Sequence, residues 1–281
     1  MFSRRGRKKD FPFFSKKEIL FLTILIICLV LFLFLSFYVA QKLHVKTSLE
    51  KDVISFTNKN ERVIFTLDKI FLFSSCDATN NSTSKALWDL NIMQYTDIAI
   101  YLNNHSDKGL TLENTIEKLW IDNLSFGTSP ELGTPSLYYK NIDLFGKVTS
   151  KEENKIENRL DYTVSTASYA LDTNEPNVYN TGQTPITLEY VNQNIKTNAI
   201  IGDTSSLIFD GSLLKKANIP LQSIQASISF QIHIQNGLAE EFVCPISFKI
   251  PLENEQTGET IINGNIKQVL EELHSYQFYK L

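Results

Sequence analysis

Apolar residues follow three patterns along this chain, and each predicts a different element. The first is an unbroken run. Ile19 to Ala40 (ILFLTILIICLVLFLFLSFYVA) spans twenty-two positions without a charged side chain. As a helix it reaches about 33 Å, against roughly 30 Å of bilayer hydrocarbon, and it is apolar on every face, unlike a surface helix. The apolar region of a cleavable signal peptide is shorter, about 7–15 residues. Here the best candidate cut, after Ala40, has Tyr38 where a small residue is expected. The reading is a retained signal anchor, with Val45, Leu49, Val53 and Phe56 extending it as a helical stalk over 41–56.

The second pattern is alternation. From Ile224 to Ile234 every even position is apolar and the odd positions between them are Gln, Ser or His; from Phe242 to Ile250 the even positions are again apolar. One wet and one buried face is the mark of an antiparallel sheet. Even must then face even, so the connecting loop holds an odd number of residues. The natural choice is Gln235-Asn236-Gly237 with Gly237 left-handed, which sets Ile234 opposite Leu238, Phe230 opposite Phe242 and Ile228 opposite Cys244. Further strands are expected over Arg62–Ser74, apolar on both faces and therefore interior, and over Tyr95–Leu102, Thr115–Phe126, Leu160–Leu171, Ile186–Val191 and Ser206–Phe209. Thr66–Leu72 and Thr115–Ile121 match conservatively at all seven positions, as a decayed internal duplication or two strands converging in similar surroundings would, and convergence is the preferred reading.

The third pattern has helical spacing. After Asn265, Ile266, Val269, Leu270 and Leu273 fall at i, i+3, i+4 and i+7, which predicts a short C-terminal amphipathic helix packed on the sheet. The fold class is then an all-β exported region, an antiparallel sandwich of immunoglobulin-like topology, preceded by one transmembrane helix. Its parts are a basic tail over 1–18, the anchor over 19–40, the stalk over 41–56, a β-rich region over 57–145, a charged linker over 146–158, and a second β-rich region over 159–281. One domain or two fit equally.

Charge gives the anchor its direction. Arg4, Arg5, Arg7, Lys8, Lys9, Lys16 and Lys17 precede the run, opposed only by Asp10 and Glu18. Such a cluster stays cytoplasmic and can also touch anionic headgroups. The expected address is the cell membrane, single-pass, with the N-terminus cytoplasmic and the remainder extracytoplasmic. Beyond residue 18 the chain holds twenty basic and twenty-nine acidic side chains, a formal −9. An acidic domain lacks the basic footprint of nucleic-acid binders, so no nucleic-acid partner is expected. Richness in Asn, Ile, Lys and Phe hints at a low-GC bacterium.

Candidate chemistry is sparse. Metalloprotease, CxxC, nucleophile-elbow, dinucleotide and phosphate-loop motifs are absent, and the histidines at 44, 105, 233 and 274 stand alone, so neither a cofactor nor a metal is expected. His233 falls on the wet face of its strand, where it reads as an ordinary surface residue. Cys28 is a filler within the apolar run. Cys76 and Cys244 share the exported side, where they form either a disulfide closing a long loop or two unrelated buried thiols. The function that follows is an anchored β-sandwich that binds a protein partner or serves as a subunit of an envelope complex. The alternatives are an envelope enzyme with a spatially assembled site and a surface structural or adhesion protein.

Overall fold

The computed structural model describes residues 25, 29, 63–82, 87–105, 109–148, 151–166, 175–201, 207–271, 273 and 276–281. The chain divides into two compact units, Met1–Arg62 and Val63–Leu281. In the first, Leu25 and Leu29 are helical; the rest of the apolar run, the basic cluster and the stalk lie outside the described residues. No helix among the described residues is long and apolar enough to cross a membrane.

Among its described residues the second unit has eleven strands. These are β1 (Thr66–Asn80), β2 (Asp89–Asn103), β3 (Ile116–Thr128), β4 (Thr134–Tyr139), β5 (Arg159–Ser165) and β6 (Asn177–Tyr179), then β7 (Ile186–Ile200), β8 (Ser227–Asn236), β9 (Glu241–Lys249), β10 (Ile266–Leu270) and β11 (Tyr279–Lys280). They form two sheets, ordered β10-β1-β2-β7-β4 and β11-β9-β8-β3-β5-β6. Every pairing is antiparallel except that of β5 with β6. Strands from before and after the charged segment 146–158 lie side by side in both sheets, so residues 63–281 make one unit.

Apolar alternation explains the core. Ile70, Leu72, Ile98, Ile100 and Leu188 of the five-stranded sheet join Leu119, Ile121, Ile228, Phe230 and Ile232 of the six-stranded sheet in one buried cluster. The matching segments Thr66–Leu72 and Thr115–Ile121 supply equivalent residues to it: Leu67 and Ile116, Ile70 and Leu119, Leu72 and Ile121. A second cluster, around Cys76, Leu90, Ile92, Leu213 and Leu214, closes one end beneath the short helix α1 (Ser212–Lys216). Between the clusters the inner face turns polar. Ser74 and Thr96 share a hydrogen bond of 2.7 Å, and Gln94 and Asn192 face each other across β2 and β7.

Three expectations need correction. The C-terminal segment is strand β10, not a helix: Val269 pairs with Phe71 and Leu270 with Ile70. Spacings of four fit both a period of 3.6 and a period of two, so Ile266 and Leu270 satisfied either pattern. The open edge of β1 offered ladder hydrogen bonds that a one-turn helix could not match. Residues 207–210 are irregular rather than strand and lead into α1. The hairpin keeps even opposite even, yet Ile234 faces Phe242, Ile232 faces Cys244 and Phe230 faces Ile246. Its three-residue loop is Gly237-Leu238-Ala239, because the Asn236 side chain closes the turn by accepting from the Leu238 and Glu240 amides. Ala239, at φ 61°, is the left-handed residue. Gly237 is needed for clearance instead, since a Cβ there would lie 2.9 Å from the Leu112 carbonyl oxygen.

Sheet edges are blunted. The Ile156 amide donates to the Leu137 carbonyl beside β4, the Asn254 side chain donates to the Lys267 carbonyl of β10, and β6 and β11 are only three and two residues long. Short, covered edges resist pairing with another chain.

Candidate functional site

A concavity lies at the side of the sandwich where β9 and β10 come from different sheets. β11 pairs with β9 only at Phe242 and Val243, so among the described residues the stretch from Pro245 to Lys249 has no strand on its outer side. β10, only five residues long, leaves the opposite wall low. The gap between them is a groove of about 1050 Å³. Leu72, Phe248, Ile250 and Leu270 supply apolar walls; Gln222, Ser247 and Gln268 supply hydrogen-bonding groups. Thr128 at the end of β3, Ser129, Glu131, Lys249, Glu253 and Glu255 also line it. Such a volume lies at the upper limit of small-ligand pockets, which run about 300–1,000 Å³. Its lining comes from six separate stretches of chain, so no local motif announces it.

A buried ionic cluster holds the outer face of the five-stranded sheet. Asp97 and Glu189 are direct neighbours across β2 and β7, and the Lys140 ammonium sits on both, 2.5 Å from Asp97 Oδ1 and 2.8 Å from Glu189 Oε1, with all three side chains fully buried. The Lys140 ammonium also donates to the Lys147 carbonyl, and the Gly146 amide donates to Asp97 Oδ2. The Tyr95 hydroxyl donates to the Gly146 carbonyl, and the ammonium lies 5.2 Å from the Tyr95 ring centre. Burial pushes the Asp97 carboxyl above its ordinary value, opposed by Lys140 and the Gly146 amide. Burial raises the Tyr95 hydroxyl to about 12. Held by backbone groups and counter-charge, the cluster is a clamp that fastens residues 140–148 over the sheet.

On the outer face of the other sheet, His233 is 8 % exposed rather than an open surface residue. Its ring stacks on Trp120 at 4.9 Å and 12°, and the Arg159 guanidinium lies 4.5 Å from the Trp120 ring centre. His233 Nδ1 meets Glu241 at 2.9 Å and Nε2 meets Asp122 at 3.1 Å. Both ring nitrogens are therefore engaged, which leaves neither for a metal or a substrate proton. Among the described residues no group of three His, Cys, Asp or Glu is arranged to hold a metal ion.

Of the residues singled out from the sequence, the basic set Arg4, Arg5, Arg7, Lys8, Lys9, Lys16 and Lys17 lies outside the described residues. Cys76 and Cys244 are both free thiols, buried in different core clusters. Burial raises both, Cys244 to about 12. Neither has the low-pKa, exposed setting of a reactive cysteine. The Lys140 cluster escaped the sequence reading, although a single acid inside an apolar strand is a signal. Asp97 stands alone within Tyr95–Leu102, and Glu189 within Ile186–Val191. At the end of the sandwich where β1 and β2 turn, Leu87, Ile200 and Ile208 are exposed and the Phe209 ring meets Trp88 at 5.8 Å.

No family model, no curated protein and no solved structure matches this chain.

Proposed function

We propose that this chain is a single-pass membrane protein of a bacterial envelope, anchored by residues 19–40 with its basic N-terminus in the cytoplasm. Its β-sandwich then lies outside the membrane and binds a protein partner, as a docking module or as a subunit of an envelope complex. The address rests on the uncharged twenty-two-residue run and the seven basic side chains before it. The binding role rests on one observation above the others, the groove between β9 and β10. Its size suits a chain segment better than an enclosed small molecule. The exposed apolar side chains beside Trp88 offer a second contact area.

We further propose immunoglobulin-like topology for the sandwich. In its favour, β1-β2-β7-β4 against β9-β8-β3 follows the A-B-E-D over G-F-C order of such domains. β5 and β6 would be an insertion between the strands in the D and E positions, and β10 and β11 additions at the edges.

Affinity purification of the full-length protein from gently solubilised membranes tests the binding role. A protein partner recovered in stoichiometric amount is expected. A clean monomer, reproduced across mild detergents, overturns the proposal.

A further inference from the structure

We infer that the groove between β9 and β10 receives an extended segment of the partner that alternates basic and apolar side chains; this rests on the partner-binding reading. The charge of the groove is one-sided. Glu131, Glu253 and Glu255 line it with Lys249 as the single cation. All four side chains belong to exposed residues, and none of them has an ion-pair partner among the described residues. Cationic groups close to the rim are therefore attracted, within the Debye length of about 8 Å at physiological salt. Beside these charges the half-buried Leu221, Leu270 and Tyr276 offer apolar contact to the intervening side chains of the ligand. The mode differs from strand addition. The Asn254 side chain already occupies the Lys267 carbonyl on the edge of β10, and the Tyr276 hydroxyl occupies the Ser247 carbonyl of β9, so recognition falls to side chains in the groove rather than to a backbone ladder.

The test uses full-length protein in neutral detergent and fluorescence anisotropy of three labelled decapeptides, alternating Lys-Val, Glu-Val and Ser-Val, with protein-free micelles as background. The Lys-Val peptide binds and the other two do not. Its affinity falls about fivefold in E131Q/E253Q/E255Q, as expected for three screened rim charges. It is unchanged in D68N/E117Q/E157Q, which neutralises three exposed acids elsewhere. Equal binding of all three peptides overturns the inference. So does an affinity unaltered by the groove substitutions, or full competition by spermine at the charge concentration of the peptide, which would mark attraction by charge alone.

Failure of this inference is separable from failure of the wider one. A partner still recovered stoichiometrically with E131Q/E253Q/E255Q leaves the docking role standing and removes the groove from it. A protein that never retains a partner defeats the docking role itself.

Discussion

At Lys140 a full positive charge sits out of contact with solvent, and two carboxylates on neighbouring strands compensate it. Moving ions out of water costs several kcal/mol each, recovered only while all partners stay in place. Lys140→Met leaves Asp97 and Glu189 facing each other unshielded and should destabilise the protein by about 3–5 kcal/mol in urea unfolding followed by tryptophan fluorescence. Asp97→Asn keeps the shape and removes one charge, so it should cost less than Lys140→Met at every pH. Its cost also carries a sign. The folded state raises the Asp97 carboxyl above its ordinary value, so the native protein holds that proton more tightly than the unfolded chain. The contribution of this group is complete below about pH 4 and is lost as pH rises through the folded value. Asp97→Asn should therefore compare better with the wild type at pH 7 than at pH 4; the opposite trend contradicts the raised carboxyl. From sequence, Asp97 and Glu189 were visible as lone acids in apolar strands. Their joint counter-ion was not, because Lys140 comes from a loop forty-three residues from one and forty-nine from the other.

Among the elements, the hairpin of β8 and β9 shows what alternation can and cannot fix. Parity follows from one buried face, and the structure keeps it. Register depends on a single side chain, Asn236, whose carbonyl oxygen binds two turn amides and whose amide nitrogen reaches the Glu113 carbonyl. Ser229 and Ser247 consequently oppose each other on the wet face with hydroxyls 2.9 Å apart. S229C/S247C should form a disulfide on mild oxidation, whereas S229C/P245C should not. The turn residues respond with opposite signs. Ala239→Gly relieves a left-handed alanine and should stabilise by up to about 1 kcal/mol, while Gly237→Ala drives a methyl toward Leu112 and should destabilise. Thermal unfolding of the two variants reads both. β10 teaches a related point. Five residues with apolar positions four apart suit helix and strand alike, and the partnerless edge of β1, invisible in the sequence, decides between them.

For the whole molecule, strand content and the two-layer core were legible because every major strand keeps a buried row. The pairing order was not, since it depends on contacts such as β2 with β7 that join residues about a hundred positions apart. The groove was hidden for the same reason: it exists only where two sheets diverge. The proposed anchor is the reverse case, written entirely in local composition, and the proposed function stands on it. In that proposal an acidic sandwich with blunted edges and a groove serves as a docking module chiefly because it would be held outside a membrane. Topology is thus the most direct measurement. Single cysteines introduced as Ser3→Cys and Thr257→Cys, the second in an exposed turn, are treated in intact cells with a membrane-impermeant maleimide, against the unsubstituted protein as background. Labelling is expected at 257 without permeabilisation and at 3 only after it, with the protein retained in membranes through an alkaline wash. Labelling at 3 but not 257 in intact cells, or release of the protein by the wash, overturns the proposed topology.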